Sequence, residues 1–429
     1  LAEALGDAQP LRARGRVSSL VGLGLEARVP GVRLGELVEV RRLHGEPLLA
    51  EVVGFHGADA TLMPLGRTEG VSPEDEVVAL GRPLQVTCGD GLLGRVLDGL
   101  GRPIDGLGPV SGTPRSVYQR SPDPLTRPRI TRAVSTGVRA IDALLTLGEG
   151  QRVGLFAGSG VGKSTLLGQI ARQADADVFV ACLIGERGRE VREFLEDALG
   201  SEGRRRGVVV CATSDAPALV RLKSAHVATA IAEHFRDQGK RVLLMMDSVT
   251  RFARAGREVG LAAGEPPARR GYPPSVFAAL PELLERAGTS ERGSITGLYT
   301  VLVEGDDLSD PVADAARSVL DGHIVMSRDL AAQGHHPAID ILASVSRVMN
   351  EVVSPAHRVL AQRVRGLLAT AREAQDLVNL GAYVAGSNPR IDEALAVKPA
   401  LDRFLRQQPG ERSAFPDTLA QLERALVRP

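Results

Sequence analysis

A glycine-rich stretch, AGSGVGKS, constrains what this chain can fold into more than any other segment does. It covers residues 157–164, follows the apolar run 151–156 and precedes the helix-forming run 163–173. Its three glycines let the backbone curl so that N–H groups converge on an anion, and the helix adds its positive N-terminal end. This strand–loop–helix order predicts a phosphate-binding loop in a parallel α/β fold.

The residues of this loop have distinct expected tasks. We expect Lys163 to reach the β- and γ-phosphates of ATP and the Ser164 hydroxyl to bind Mg²⁺. Ala157 stands where the strict pattern has glycine, a small departure because alanine costs little unless φ must be positive. The predicted cofactor-binding residues are Gly158, Ser159, Gly160, Val161, Gly162, Lys163, Ser164 and Thr165.

A carboxylate closes another buried-strand run, RVLLMMD, which ends at Asp247. At the carboxyl end of a strand beside the loop, Asp247 would hold Mg²⁺ through a water molecule. The alternative is a polar residue that only marks the end of a strand. The order of the two motifs along the chain favours the metal role.

Two charged residues in the stretch LIGERGREV come directly after an apolar predicted strand. Glu186 is a candidate for orienting the water that attacks the γ-phosphorus and for accepting its proton. Arg187 is a candidate for neutralising the charge that develops there. A solvated loop is the alternative, because further charged residues surround the pair: Arg189, Glu190 and Arg192.

One arginine interrupts the mostly apolar segment AIDILASVSRVMN. A guanidinium is out of place in such a segment unless it is paired, so Arg347 is either a salt-bridged structural residue or an arginine finger. A finger would stabilise the charge that builds on the γ-phosphoryl oxygens. The spacing of the residues leaves both interpretations open.

Charge and composition narrow the class of protein. Lys plus Arg equal Asp plus Glu at 52 each, so no overall basic bias indicates a nucleic-acid partner. The chain has no Trp and only 3% aromatic residues, which argues against a surface that stacks bases. We find no apolar run near the roughly 18 residues that span a bilayer and no signal-peptide pattern. The chain begins at Leu1 without a Met, so we expect a native leader or arm to be missing.

Three scattered cysteines have no metal-ligand spacing: Cys88, Cys182 and Cys211. Two of them lie in apolar runs, and we interpret them as small core residues. A reducing cytoplasm is the expected compartment.

The residue pattern divides the chain into three predicted parts. Short β-rich runs broken by Gly and Pro predict a small antiparallel barrel over residues 1–85. Alternating strands and helices over 86–350 predict a parallel sheet buried on both faces, and this part includes a Pro-rich extended linker at 114–130. Residues 351–429 are predicted to be helical, with an apolar stripe at Val359, Leu360, Val364, Leu367 and Leu368.

Together these motifs resemble the rotary-type hexameric P-loop ATPases, and within them the ATPases of type III protein export. The matching stretches include GSGVGKS, GERGREVREF, GYPPSVF, GSITGLYTVLVEGDD and GSNPRIDEAL. The resemblance covers nearly the whole chain and is weakest in the first 80 residues. It implies a RecA-like ATPase core with an N-terminal β-barrel and a C-terminal helical domain, and it favours the injectisome branch over the flagellar one.

The resemblance also implies residue roles. Lys163 would be the P-loop lysine, Glu186 the catalytic carboxylate and Asp247 the Walker B acid. Arg187 would lie beside the phosphates, and Arg347 would be the finger inserted from the neighbouring subunit. At position 336 the relatives often carry Tyr or Phe where this chain has histidine, so the adenine-stacking residue is not assigned.

The implied activity is ATP hydrolysis by a homohexamer that energises type III export through chaperone release and substrate unfolding. The implied partners are the stalk and stator proteins, secretion chaperones with their substrates, and the export gate. The implied location is the cytoplasm, peripheral at the cytoplasmic face of the inner membrane, with no specific nucleic acid. Two other classes remain open: a Rho-like RNA translocase and a noncatalytic subunit of ATP-synthase type.

Four further features have weaker interpretations. Arg269 and Arg270, in a proline-rich loop, either face the pore of the ring or form a solvated pair. The last helices either bind chaperones or are only packed domain structure. The acidic run 304–310 is expected to be a solvated loop, and His335 and His336 are not expected to bind a metal because neighbouring side chains diverge.

Overall fold

The computed structural model describes residues 12–303 and 310–427, and its first domain is a closed antiparallel barrel. The order of its strands is β1-β2-β5-β4-β3-β6. Alternate residues of these strands, such as Val38, Val40, Ala50 and Val52, fill the interior. The predicted barrel fold is therefore confirmed, and residues 1–11 of its predicted range lie outside the described residues. Its strands are β1 Arg14–Val21, β2 Gly24–Arg28, β3 Glu36–Arg41, β4 Leu48–His56, β5 Asp59–Pro64 and β6 Glu76–Pro83.

Two small two-stranded antiparallel sheets and an extended segment connect the barrel to the rest. The Pro-rich stretch 114–130 contains no helix. It is nevertheless anchored, because Val117 is buried and Arg127 donates a hydrogen bond of 3.0 Å to the carbonyl oxygen of Ala287. The paired strands are β7 Gln85–Cys88 with β9 Thr113–Ser116, and β10 Ala133–Val134 with β11 Leu147–Gly148.

A nine-stranded sheet forms the centre of the molecule, in the order β19-β18-β12-β17-β15-β13-β14-β8, with β16 paired to β17. The strands are parallel except for β16 and the edge strand β19. The phosphate-loop strand begins one residue later than the sequence predicted. The strands are β8 Val96–Asp98, β12 Arg152–Ala157, β13 Val178–Glu186, β14 Gly207–Thr213, β15 Arg241–Asp247, β16 Gly288–Thr289, β17 Ser294–Leu302, β18 Gly322–Met326 and β19 Ile339–Ser346.

Helices cover both faces of this sheet. In β13, Val180 and Cys182 belong to the core on one face, whereas Phe179 and Ala181 belong to the core on the other. A strand buried on both sides reads as a continuous apolar run, as the sequence predicted. The helices are α1 Arg139–Leu144, α2 Lys163–Gln173, α3 Gly188–Glu193, α4 Gly200–Arg205, α5 Ala218–Asp237, α6 Val249–Ala262, α7 Pro274–Leu284, α8 Pro311–Val319, α9 Arg328–Ala332 and α10 Met349–Val352.

The C-terminal part is helical, as predicted, and each helix has Pro in its first turn. The predicted apolar stripe is wrong at Val359, which is 66% exposed. The buried positions nearest to it are 357, 361 and 364, so residue 359 falls on the opposite side of this part of the helix. No helix in the described part of the chain is long and apolar enough to cross a membrane. The helices are α11 Pro355–Asn379, α12 Pro389–Leu405 and α13 Phe415–Ala425.

The three cysteines are free and buried, which confirms their interpretation as core residues. Burial raises the pKa of the Cys88 and Cys211 thiols to about 11. Burial also raises the pKa of Cys182. The thiols are therefore held in their neutral form and serve packing.

Candidate active site

The phosphate loop joins the carboxyl end of β12 to the first turn of α2. Gly160 has φ of 80° and Gly162 has φ of 89°, so both occupy the left-handed region that favours glycine. A Cβ atom built on Gly160 would have no neighbour within 4 Å, which leaves a cradle open to solvent. Ala157 ends β12 in a strand conformation, which an alanine adopts without strain. The departure from the strict glycine pattern is therefore tolerated.

Two side chains from distant parts of the chain flank this loop. A Cβ atom on Gly158 would come within 2.8 Å of Arg328 Nε, so the guanidinium of α9 packs directly on the loop. A Cβ atom on Gly162 would lie 3.7 Å from His336 Nδ1. His336 is exposed and His335 is buried, because the two neighbouring side chains point to different sides.

The cluster at the carboxyl ends of the strands contains the three most important predicted residues. Lys163, the first residue of α2, forms a short ion pair with the carboxylate of Asp247 at the end of β15. The Nζ atom of Lys163 also lies 3.6 Å from Oε1 of Glu186, which ends β13. The Thr300 hydroxyl donates a hydrogen bond of 2.7 Å to Asp247. The fold thus brings the lysine and both carboxylates together.

Glu186 is the buried acid of this cluster. Its Oε2 atom lies 2.7 Å from Nη1 of Arg251, four residues after Asp247. Burial raises the pKa of Glu186, and a hydrogen bond with Glu190 raises it further, while Lys163 and Arg251 oppose both effects. The same hydrogen bond lowers the pKa of Glu190. The surroundings therefore raise the basicity of the Glu186 carboxylate relative to that of Glu190, a tuning typical of a general base.

The residues expected to hold Mg²⁺ are suited to that ion. Ser164 and Thr165 lie in the first turn of α2, directly after the loop, and both are exposed. Asp247 contributes a carboxylate 5% exposed. A hydroxyl and a carboxylate are the hard oxygen donors that Mg²⁺ prefers, and it usually retains several waters beside them. The donor set therefore fits the predicted cofactor.

Two predicted catalytic arginines lie outside this cluster in the single chain. The Arg187 side chain is 77% exposed and is 3.8 Å from Glu190. Arg347 follows β19 directly and is exposed rather than buried among apolar side chains. Its backbone N–H donates to the carbonyl oxygen of Asp321. The backbone N–H of Asp321 in turn donates to the carbonyl oxygen of Arg152, which begins β12. Because β12 has six residues, roughly 20 Å separate Arg347 from the phosphate loop.

Other predicted features have definite positions or lie outside the described residues. Arg269 and Arg270 are exposed, at 3.8 Å from Asp314 and 3.6 Å from Asp310 respectively. Of the acidic run 304–310, only Asp310 lies within the described residues, and it caps the N-terminus of α8.

Three functional candidates were missed by sequence reasoning: Arg251, Glu190 and Thr300. Each carboxylate of the cluster has a charged residue four positions later, Glu190 after Glu186 and Arg251 after Asp247. In both cases the strand turns directly into a helix, whose first turn returns the charged residue to the site: Glu190 bonds to Glu186, and Arg251 crosses to pair with Glu186 as well. Thr300 is a hydroxyl inside the apolar run GLYTVLV, a signal that was available in the sequence.

Comparison with known families divides the chain into three matches. Residues 17–81 match the ATP synthase alpha/beta family, beta-barrel domain. Residues 137–346 match the nucleotide-binding domain of the same family. Residues 353–424 match the T3SS EscN ATPase C-terminal domain.

Characterised relatives match over nearly the whole length. The Type 3 secretion system ATPase of Xanthomonas euvesicatoria is 54% identical over 413 residues, which is 96% of this chain and 93% of the relative. The Flagellum-specific ATP synthase of Bacillus subtilis is 51% identical over 411 residues, which is 95% of this chain and 94% of the relative. The two branches therefore match to nearly the same extent.

Solved structures give the same relationship. The assembled ATPase EscN from the type III secretion system of enteropathogenic E. coli superposes with a TM-score of 0.92 at 46% identity. The match covers 96% of this chain and all of that one. EscN in complex with its central stalk EscO matches with a TM-score of 0.89, also at 46% identity and with the same coverage.

Proposed function

The chain belongs to the type III secretion and flagellar export ATPases of the ATP synthase alpha/beta family, and on that premise we propose that it acts as a closed homohexamer that hydrolyses ATP to energise protein export. The observation that carries the proposal is the division of the predicted catalytic residues. Lys163, Glu186 and Asp247 meet at the carboxyl ends of the strands. Arg347 lies at the amino end of the same sheet.

Within one subunit, the cluster has the parts that hydrolysis requires. The curled loop offers backbone N–H groups to the phosphates, and Lys163 leaves Asp247 to meet the β- and γ-oxygens. Glu186 orients the attacking water and accepts its proton, and its raised pKa brings its basicity closer to working pH. Mg²⁺, held by Ser164 and through water by Asp247, would neutralise phosphate charge.

The remaining part comes from the neighbour. A guanidinium about 20 Å from the phosphate loop of its own chain cannot touch the γ-phosphate there, since an arginine side chain is far shorter. The exposed Arg347 instead faces outward, ready to enter the site of the next subunit. Identical copies arranged head to tail then complete one another, and this arrangement closes into a ring. The family resemblance supports six as the number of subunits in the proposed ring.

The proposed output is protein export. EscN has been solved with its central stalk EscO, and we extend such a stalk contact to this chain. Arg269 and Arg270 are exposed, and each forms a long, solvent-screened ion pair; this exposure supports a contact with a stalk in the pore. Stator proteins, chaperones with their substrates, and peripheral attachment to the export gate at the cytoplasmic face of the inner membrane complete the proposal.

The primary test is specific ATPase activity against protein concentration, from nanomolar to tens of micromolar. We expect the activity to rise as rings assemble and to fall by on the order of 10³-fold in Arg347→Ala at every concentration. Arg16→Ala, which removes an exposed arginine of the barrel, is the matched control. Full activity of a monomer, established by sizing at the same dilution, would overturn the shared site.

The export role needs its own measurements. Charge reversal of Arg269 and Arg270 is expected to weaken stalk binding and export while ATP hydrolysis continues. Deletion of α13 is expected to abolish chaperone binding and to leave nucleotide binding intact. Unchanged stalk binding or chaperone binding would remove the corresponding role, and stimulation of hydrolysis by RNA would instead favour a translocase.

A further inference from the structure

A polar cluster joins the start of the phosphate-loop strand to the end of the strand that carries Arg347. Gln151 directly precedes β12 and is fully buried. Its Nε2 group donates to the carbonyl oxygen of Asp321 at 3.1 Å and to Oγ of Ser346 at 3.1 Å. Its Oε1 atom accepts from the backbone N–H of Gly148 at 2.8 Å. One side chain thus connects three separate segments.

Asp321 is the point at which these segments meet. Its carbonyl oxygen also accepts the backbone N–H of Arg347 at 3.0 Å. Its carboxylate accepts from Arg152 twice, from Nε at 3.0 Å and from Nη2 at 3.1 Å, and this paired geometry fixes its orientation. Arg152, which begins β12, therefore orients Asp321, and Asp321 in turn binds the backbone N–H of Arg347.

Ser346 closes the cluster from the other side. Its hydroxyl donates to the carbonyl oxygen of Thr146 at 2.8 Å. Gly322 allows the close approach, because a Cβ atom there would come within 2.6 Å of the Val345 carbonyl oxygen and 3.2 Å of Gln151 Nε2. The last two residues before Arg347 are thus held at fixed distances from the start of β12.

We propose that Gln151 and Ser346 are positioning residues for Arg347. Strand β12 then carries the nucleotide loop of its own subunit at one end. At its other end it carries the anchor of the arginine that enters the neighbouring subunit's site. The inference rests on the proposed action of Arg347 in the adjacent subunit. Neither residue touches the phosphates of its own site. Their effect is on where the guanidinium is presented.

The energetic reason is the sensitivity of charge stabilisation to geometry. The Arg347 side chain is exposed and rotatable, so its reach is defined only by the backbone from which it starts. A misplacement of about 1 Å costs roughly 10²-fold in rate. A buried amide with three hydrogen-bonded partners is a rigid means of fixing that backbone.

The first experiment separates presentation of the finger from folding and nucleotide binding. Gln151→Met retains the size of the side chain and removes the amide, and Ser346→Ala removes the hydroxyl. Ser344→Ala is the matched control, because its buried hydroxyl lies in the same strand and bonds only to the backbone of Asp340 and Val325. We expect both test variants to lose about tenfold or more in kcat with unchanged affinity for a fluorescent ATP analogue, and the control to retain kcat.

The second experiment uses mixed rings. Lys163→Ala subunits lack a working site but present an intact finger, so mixing them with Arg347→Ala subunits restores activity if the finger acts in trans. Mixing Lys163→Ala subunits with Gln151→Met subunits likewise restores activity if Gln151→Met fails only in presenting its own finger. A mixture of Gln151→Met with Arg347→Ala stays at the sum of its parts, because neither supplies a well-placed finger. Sizing and melting of each variant establish that the rings form.

The outcomes are distinguishable. No recovery in the Lys163→Ala and Arg347→Ala mixture overturns the trans finger, and with it this inference. Recovery there without recovery of Gln151→Met by Lys163→Ala overturns the positioning role alone. Recovered activity in the mixture of Gln151→Met with Arg347→Ala would place the defect of Gln151→Met outside the finger. This result would also overturn the positioning role.

Discussion

Lys163 of α2 is bonded directly to the carboxylate of Asp247 at the end of β15. The cation that we expect on the phosphates is thus paired with the acid that we expect near Mg²⁺. Both are buried from most of the solvent, so the pair is only weakly screened. Binding of a nucleotide has to separate them, and the pair therefore competes with the ligand.

This competition predicts an unusual effect of Asp247→Asn. Removing the negative charge frees Lys163, so binding of ADP in the absence of Mg²⁺ is expected to tighten by about tenfold, as a loss of roughly 1.4 kcal/mol of competition would give. The increase in affinity that Mg²⁺ normally provides is expected to disappear. Titration calorimetry with and without Mg²⁺ measures both effects.

The control for this prediction is Asp177→Asn, which removes a paired aspartate near the opposite end of β15. It is expected to change the affinity for ADP neither with nor without Mg²⁺. A weaker Mg²⁺-free affinity in Asp247→Asn would contradict the competition.

The Glu186–Glu190 pair predicts a shift in the pH profile. The hydrogen bond with Glu190 raises the pKa of Glu186, because it stabilises the protonated form of Glu186. In Glu190→Ala that stabilisation is lost, so the pKa of Glu186 falls and the acidic limb of kcat/KM moves to lower pH. Glu193→Ala is the control, since Glu193 pairs only with Arg189 on the surface of α3. An acidic limb that stays in place would exclude Glu186 as the group that titrates.

Asp105 and Arg95 predict a pH-dependent contribution to stability. Arg95 donates to both carboxylate oxygens, at 2.7 and 2.8 Å, and holds the pKa of Asp105 well below its usual range. This stabilisation is fully present above the ordinary aspartate pKa of about 4 and is lost as the pH falls through the lowered pKa of the folded state. Asp105→Asn is expected to lower the free energy of unfolding by about 2 kcal/mol at neutral pH.

Urea unfolding at several pH values tests this expectation. The matched control is Asp59→Asn, whose partner Arg28 is exposed, and it is expected to cost less than about 1 kcal/mol. Equal losses in the free energy of unfolding for the two variants would contradict the role assigned to burial of the Asp105–Arg95 pair.

A buried ion pair at the junction of the barrel and the core gives the last prediction. Lys223 of α5 lies 2.6 Å from Glu51 of β4, and the Tyr118 hydroxyl donates to the same carboxylate at 2.9 Å. Glu51→Ala leaves a buried ammonium group without its carboxylate, which costs about 3 kcal/mol. We expect lower stability and faster proteolysis near the exposed Leu125 of the linker.

Glu39→Ala, on the neighbouring strand of the barrel, serves as the control because its partner Arg41 is partly exposed. It is expected to leave cleavage of the linker unchanged. Identical cleavage in both variants would show that the pair does not hold the barrel to the core.

The sequence predicts the parts of the site that are local. Strand, loop and helix around Lys163 are contiguous, and parallel strands bring their carboxyl ends to one edge, so Glu186 and Asp247 could be predicted to lie near the loop before the fold was known, while their catalytic roles came from the family resemblance. The barrel was predicted from short β-rich runs broken by Gly and Pro, and the helical end from apolar residues at helical spacing. At Val359 periodicity failed, since a long amphipathic helix has apolar residues that packing does not require.

What the sequence did not predict depends on approach through space. Thr300 reaches Asp247 only because β17 lies beside β15. Gln151 and Asp321 are far apart in the chain, and their contact exists because β18 pairs with β12. The exposed position of Arg347 follows from β19 being an edge strand, a matter of sheet order that no local pattern encodes.

The placement of Arg347 at the opposite end of the sheet from its own phosphate loop has an arithmetical consequence. If each finger serves the next subunit, any open row of subunits has one working site fewer than it has members, because the last loop has no donor beyond it. A dimer then has one site, and each added subunit brings one more. The final closing contact is the only step that adds a site without adding a subunit, so activity per subunit distinguishes a complete circle from an arc.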